Sequence, residues 1–580
     1  MHLAVTADER YWRPDCRQLF LGEWCLKRSR QACWSELDYD VVPYNWPDAS
    51  VMYAAYRQLS GLYEKVLADL TTVLNEIHNV RHTLRYWRIS IGPWLTFSLH
   101  VLYDRYTSIM QAANTGQVES VYVSDDDYAA WVPTGFAQFL DWIKDDPYNQ
   151  YLCNAIIRTT GALPYEVREL ELRPEKNQAG TTRGAGIKGA VKRVLAGKNR
   201  VHIISPYLGT DGLTQLYRSL GQIPILPSLA EPVLATDVDF ETRDTIGEQL
   251  EKPAHNDESG FEQLLPQLLP QLLPTAVVEN YDRLRAYAED KLPAADVIVV
   301  DTELYSNETI KIWTAAQVDR GAKLMIHQHG GNYGIDLFNA REDHERQAAD
   351  RLLTWGWRDD ETTRPVPTGK LASSTMPSDG DANGHILMVN ETYPRYFYLM
   401  YSVAQGTALA SYIADQQTFA ELLTEQCREN LLVRLFPADY GWSEPERWKD
   451  RLPDVAVYRG GTSLAEQLRE SRLCIITYNG TALLEVLAAN FPTVVFWDPQ
   501  LWAVRDSAQP CLQQLADVGV FHESAASAAT FVNRIWEDPR SWWMSDDTQK
   551  ARAIFCNRYA RASSDWVDRW CDELTGVLSG

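Results

Sequence analysis

The chain has 580 residues, 45% hydrophobic and 23% charged, which suits a folded globular protein of more than one domain. Its 55 basic and 78 acidic residues leave a net charge of −23, which argues against nucleic acid as a partner because phosphate binding needs a basic footprint. Nine cysteines lie singly between Cys16 and Cys571 with no CxxC pair, so they are expected as buried thiols and not as disulfides or a zinc site.

From the N-terminus, His2–Thr6 and Gln18–Leu21 are short apolar runs that read as buried strands. Asp8, Glu9 and Arg10 arrive too early for a signal peptide, and no apolar run approaches the roughly 18 residues of a membrane span, so a cytoplasmic location is expected. Leu59, Leu62, Val66, Leu70, Val73 and Ile77 recur at steps of three and four and predict a helix capped by Asp48 or Ser50. Helical patterns continue over 82–115 and 126–158. Val201–Ser205, Val297–Val300 and Lys323–His327 then read as strands of a parallel sheet.

Three segments interrupt this pattern. Residues 170–200 end in Arg183, Lys188, Lys192, Arg193, Lys198 and Arg200 with no acid between them. Such a run is a solvated helix or loop, or a peripheral contact through 183–200 with anionic headgroups on the inner face of a membrane. A threefold Gln-Leu-Leu-Pro repeat spans Gln263–Pro274; proline at every fourth residue predicts an extended, poorly ordered stretch within 240–275. Asp359–Gly384, rich in Pro, Ser, Thr, Asp and Gly, reads as an interdomain linker.

Beyond it the alternation becomes regular. Ile386–Asn390, Leu431–Phe436, Val455–Tyr458, Leu473–Thr477 and Thr493–Trp497 are apolar strands separated by helical stretches, the pattern of a doubly wound parallel sheet. The domains expected are therefore 1–358, on the acceptor side and with helical insertions, and 385–540, on the nucleotide side. A segment 541–580 packs back on the body through one long helix carrying Phe555, Tyr559, Ala562, Trp566, Trp570 and Leu574.

The sharpest chemical signal is the strand ending at Thr477, followed by Tyr478, the tight turn Asn479-Gly480-Thr481 and a helix. Such a turn presents backbone N–H groups at a helix N-terminus on the binding edge of the sheet, which suits a phosphate. Glu485, one turn along, is placed to accept ribose hydroxyls. Arg395 and Arg434 lie where arginine forks onto phosphate. A second signal is the loop Gln328-His-Gly-Gly-Asn-Tyr-Gly334. His329 is the first candidate for contact with the reacting groups, and Gln328, Gly330, Gly331 and Tyr333 complete a ligand loop. His327 and His329 lack an evident third ligand, so no metal is expected. Asp8 and Glu23, in Thr6-Ala-Asp-Glu9 and Gly22-Glu-Trp-Cys25, are alternative bases on the acceptor side.

These motifs, with Arg85-Tyr-Trp-Arg88, Gly92-Pro-Trp94, Tyr393-Pro-Arg-Tyr396 and Asp439-Tyr-Gly-Trp442, resemble those of a family of bacterial transferases from O-antigen and other surface-carbohydrate loci. More distantly, the His-Gly loop and Gly-Thr turn are similar to features of GT-B enzymes that make capsules and teichoic acids. The resemblance implies an α/β fold of two Rossmann-like domains, with extra helices in the first and a long C-terminal helix. It also implies a metal-independent glycosyltransferase that uses a nucleotide-activated sugar as co-substrate, with no other cofactor, and an oligosaccharide or lipid-linked acceptor. A CMP-ulosonic acid is one such donor; alditol-phosphate transfer from a CDP donor and non-catalytic carbohydrate binding are the alternatives.

Overall fold

A computed structural model describes the chain except for residues 126, 170–196, 198, 205, 226–229, 252–259, 373–374 and 580. Of the basic run at 183–200, only Arg200 is among the described residues; it is exposed and paired with Asp296 at 2.5 Å.

The strands form three sheets in which all pairings are parallel. The first contains β1 (His2–Ala4), β2 (Gln18–Phe20), β3 (Tyr39–Val41), β4 (Ser120–Ser124) and β5 (Glu166–Arg168), in the order β3-β2-β1-β4-β5. The second contains β6 (Val201–Ile204), β7 (Val297–Val300), β8 (Lys323–His327), β9 (Arg351–Thr354) and β10 (Thr363–Pro365), in the order β10-β9-β8-β7-β6. The third contains β11 (His385–Val389), β12 (Leu431–Arg434), β13 (Ala456–Tyr458), β14 (Ser471–Ile476), β15 (Thr493–Phe496) and β16 (Phe521–His522). Its order, β13-β12-β11-β14-β15-β16, is the 3-2-1-4-5-6 winding of a Rossmann fold, with a topological switch between β11 and β14. The α/β class with Rossmann-like sheets is the one expected.

Residues 1–358 hold two sheets where the sequence reading placed a single domain. Between them runs the helix Leu84–Asn114, buried around nearly its whole circumference. It carries the Arg85–Arg88 and Gly92–Trp94 motifs, and they are packing devices. Arg85 pairs with Asp350 at 2.7 Å, and Arg88 with Glu64 at 2.7 Å. A Cβ on Gly92 would lie 2.4 Å from the His344 ring, so glycine here lets the central helix approach the helix Ala340–Ala348.

The Gln-Leu-Leu-Pro repeat corrects the sequence reading, because Leu265–Leu272 is a helix. Pro266 sits in its first turn, where the missing N–H costs nothing. The four-residue period stacks Leu264/Leu265, Leu268/Leu269 and Leu272/Leu273 on one buried face. The end of the helix is held by Arg243, whose Nη1 donates to the carbonyls of Pro270 (2.5 Å) and Leu273 (2.9 Å). Leu269→Ala should therefore destabilise the protein by about 3 kcal/mol, as a cavity in a packed core does. Guanidinium unfolding measures this, and a cost near zero would restore the extended reading.

Two other expectations change. The segment 359–384 contains β10 and the short helix Gly369–Ala372, so it is not a plain linker. The predicted C-terminal helix is two, Asp546–Tyr559 and Trp566–Ser579. Arg561 lies in the break and is pinned on both sides of its backbone, donating to the Trp355 carbonyl and accepting from Thr368 N, both at 2.9 Å. The last helix lays Trp566, Trp570 and Leu574 on the face of the second sheet formed by Val201, Ile203, Val297, Val299 and Met325.

Candidate functional site

In a parallel α/β sheet, ligands bind at the carboxyl ends of the strands. Here the carboxyl edges of the second and third sheets meet. Antiparallel bridges join Asp336 to Val504 and Asn339 to Tyr401. Arg505 donates to Glu342 at 3.0 Å and to the Asp336 carbonyl at 2.9 Å. The loop after β8 is thereby fastened to the loops after β11 and β15.

At this seam the two sharpest sequence signals come into contact. Gly331 N donates to Thr481 Oγ1 at 3.1 Å, and a Cβ on Gly331 would lie 2.3 Å from the Gly480 carbonyl carbon. Gly480 is the N-cap of the helix Thr481–Ala488, in extended conformation, and no side chain caps that helix. Asn479 Nδ2 donates to Asp336 at 2.9 Å, while its buried Oδ1 has no partner among the described residues. Burial pushes the Asp336 carboxyl well above the usual range, opposed by the amides of Asn332 and Asn479. Tyr478 is buried beneath the turn. Glu485, on the same helix, pairs with Lys370 Nζ at 3.2 Å, and Lys370 lies 4.8 Å from the centre of the Tyr207 ring.

His329 is held by a triangle of short contacts. Its Nε2 lies 2.7 Å from Glu345 Oε1 and 3.2 Å from the Tyr333 hydroxyl, which itself donates to Glu345 Oε1 at 3.0 Å. All three are buried. A carboxylate on one ring nitrogen fixes the tautomer and leaves Nδ1 as the basic atom. His327 is different: burial drives it down to about 3, and its Nε2 accepts from Trp355 at 3.1 Å.

Several predicted residues serve the fold. Gln328 spends its amide on the loop, donating to Gly330 O at 2.7 Å and accepting from Trp355 N and Trp357 Nε1. It holds the ligand loop together. The atoms nearest a Cβ on Gly330 would be in the side chains of Asn332 and Tyr333. Asp8 caps a short 3₁₀ turn and is occupied by Arg10, from 2.5 Å. Arg434 ends β12, donating to the Thr462 carbonyl at 2.9 Å and to Gln467. Arg395 reaches the first sheet, donating to the Trp24 carbonyl and, at 3.0 Å, to Asp146. Glu23 is exposed on the loop after β2, beside Arg447. Arg395 and Glu23 thus belong to the junction of the first and third sheets.

Sequence reasoning missed Glu345, Lys370 and Asp146. Glu345 lies in the charged run Arg341–Arg346, which reads as a solvated helix; Lys370 is the single basic residue between Arg364 and His385. Asp146, within a predicted helix, accepts from Lys27, Arg395 and, at 2.5 Å, Tyr396. Burial raises Asp146, but Arg395 and Lys27 outweigh it and hold its carboxyl below the ordinary value.

The switch point of the third sheet carries two further carboxyls. Burial pushes Glu391 up to about 8 and Glu444 up to about 7; Arg459 and Arg447 pull Glu444 down and Asp439 pushes it up. A carboxyl raised in the folded state stabilises the fold fully below its ordinary value, and that contribution is lost as pH rises through 7. Glu444→Gln should leave the melting temperature unchanged at about pH 4 and raise it above that of the parent protein at about pH 9. Parallel melting curves across that range would show no foundation for a raised carboxyl.

A sequentially wound parallel sheet and a Rossmann-wound one, joined at a seam of carboxyl-edge loops, make this an α/β protein. A family model described as LIC12162 family transferase matches residues 1–574, and the chain belongs to that family. Comparison with curated proteins gives no match. Among solved structures the chain is similar to MurG from Acinetobacter baumannii, at 13% identity and TM-score 0.34, covering 65% of this chain and 99% of that one. It is also similar to UDP-GlcNAc 2-epimerase from Neisseria meningitidis bound to UDP-GlcNAc, at 8% identity and TM-score 0.35, covering 65% and 99%. A third is the wall teichoic acid polymerase TagF, at 9% identity and TM-score 0.29, covering 68% and 94%. Among the described residues no helix is long and apolar enough to cross a membrane, and no group of three or more His, Cys, Asp or Glu side chains could hold a metal ion.

Proposed function

We propose that this transferase is a glycosyltransferase that takes a sugar from a nucleotide-activated donor held at the seam of the second and third sheets. The observation that carries this is the backbone-to-backbone approach of Gly331 and Gly480, beside an uncapped helix N-terminus and within one loop of His329. The helix N-terminus and Lys370 offer positive charge to a leaving phosphate, which supports a metal-independent reaction. Glu485 exchanges Lys370 for ribose hydroxyls when the donor binds. His329, set by Glu345, takes the proton of the acceptor hydroxyl through Nδ1. The acceptor is an oligosaccharide or a lipid-linked saccharide destined for surface polysaccharide, reaching the seam from the first-sheet side, and the enzyme works in the cytoplasm.

The test is release of free nucleotide from a panel of CMP-, CDP-, UDP-, GDP- and dTDP-activated sugars, with and without EDTA. Release from one base class, unchanged by EDTA, is the expected result. Activity abolished by EDTA would remove the metal-independent step, and a phosphodiester product from a CDP-alditol would replace sugar transfer by alditol-phosphate transfer.

A further inference from the structure

Three motifs of the sequence analysis remain outside the donor seam: Leu21–Cys25, Tyr393–Tyr396 and Asp439–Trp442. The structure brings them together. A cavity of about 430 Å³ lies where the carboxyl-edge loop of the first sheet meets the third-sheet domain, lined among others by Glu23, Arg28, Trp34, Arg395, Trp442 and Arg447. Its floor is rigid. Arg395 is 5% exposed and clamped between Asp146 and the Trp24 carbonyl. Beside it, Arg105 forms a fully buried pair with Asp104 and donates to the Phe397 carbonyl at 2.9 Å.

The charges in this cavity are uneven. Arg28 is matched by Asp450 and Arg395 by Asp146. Arg447 donates its Nε to the Trp442 carbonyl at 2.9 Å and pairs with no carboxylate among the described residues. Arg395 Nε is buried with no partner among the described residues. The backbone of Gly441 lies directly against it, where a Cβ would come within 2.4 Å, so that nitrogen is closed off from the cavity and Arg395 serves as its wall. In a chain of net charge −23, a concave site with a guanidinium outside any ion pair among the described residues suits an oxyanion, with Glu23 beside it. Two tryptophans and the exposed Glu23 carboxylate supply flat apolar faces and an acceptor for hydroxyl groups.

We propose that this cavity is the acceptor subsite and takes a saccharide bearing an oxyanion, a phosphate or a carboxylate, held by Arg447. The word acceptor rests on the donor reading above; the oxyanion-saccharide chemistry rests on the cavity alone. The test is calorimetric titration of the full chain with glucose 1-phosphate, glucuronate, glucose and inorganic phosphate, each for the parent protein, Arg447→Gln and Arg447→Lys. At least one anionic sugar should bind more tightly than glucose by about tenfold or more; Arg447→Gln should abolish that advantage and Arg447→Lys restore part of it. The better of the two anionic sugars identifies the oxyanion. Failure of both to bind, an affinity unmoved by Arg447→Gln, or inorganic phosphate matching glucose 1-phosphate would each overturn the proposal. Nucleotide titration of the same samples reports on the donor seam separately. Saccharide binding without nucleotide binding would remove the donor reading and leave the cavity's chemistry standing.

Discussion

Gly331→Ala is expected to lower donor turnover by about 100-fold while Gly330→Ala, one residue away, changes it little. The difference lies in what each new methyl group would meet. At Gly331 the nearest atoms are all backbone: the Gly480 carbonyl carbon at 2.3 Å, Thr481 N at 2.4 Å and the Gly480 oxygen at 2.5 Å. Backbone at the N-cap of a helix cannot swing aside, so the two loops must part, and the bond from Gly331 N to Thr481 Oγ1 goes with them. At Gly330 the nearest atom is Asn332 Oδ1, at 2.9 Å on a side chain and not on backbone, so a small shift of that amide about its bond to Asp336 relieves the contact. Loop separation of about 1 Å misplaces a group that must meet a reacting atom, and such errors cost about 100-fold. Turnover of the two variants, beside their melting temperatures, checks this; equal rates would show that the seam is not where the chemistry occurs.

Replacing Glu345 by glutamine should reduce kcat by about 100- to 1000-fold with little change in KM for the donor. Glutamine keeps the shape but loses the carboxylate that accepts from Nε2 and fixes the His329 tautomer. Glu345 is a positioning residue, so its readout must differ from that of a packing defect. His329→Ala should lose a similar factor, and the double variant no more than either alone, because the two act as a unit. Tyr333→Phe removes one of the contacts to Nε2 and leaves the one to Glu345, so its effect should be smaller. Additive losses in the double variant would refute the coupled reading. A shifted pH profile in Glu345→Gln, set by the altered imidazole, would support it.

The fold was most readable where period and burial coincide. The third sheet is built from apolar runs such as Leu473–Ile476 and Thr493–Phe496, which are buried throughout and bounded by turn residues, and each stands close to where its pattern puts it. The Gln-Leu-Leu-Pro repeat misled because proline was weighed without its neighbours. The leucine pairs recur every four residues on one helical face, and that burial outweighs one missing hydrogen bond. β1 and β2 read as strands, but the division of residues 1–358 into two sheets was hidden because β3 and β5 are each three residues long, too short for any period to show.

In the candidate site, the loop residues that announce themselves by glycine and turn chemistry could be found from sequence: Gly331, Gly480 and Thr481. Their partners could not. Glu345 and Lys370 look like surface charges until the chain folds, because a buried carboxylate and a solvated one share the same letter. Arg395 reads as a phosphate ligand from its place after β11; only the structure shows Asp146, far away in sequence, taking up its Nη2.

The central claim is that a nucleotide binds at the seam of Gly331, Thr481 and Glu485. The most direct measurement is a thermal-shift titration of the parent protein and Glu485→Ala with CMP, CDP, UDP, GDP, ADP and dTDP. One base class should stabilise the parent protein by about 2.7 kcal/mol at a hundred times its dissociation constant, and clearly less in Glu485→Ala. If no nucleotide stabilises the parent protein, or one stabilises both proteins equally, the donor does not bind at this seam.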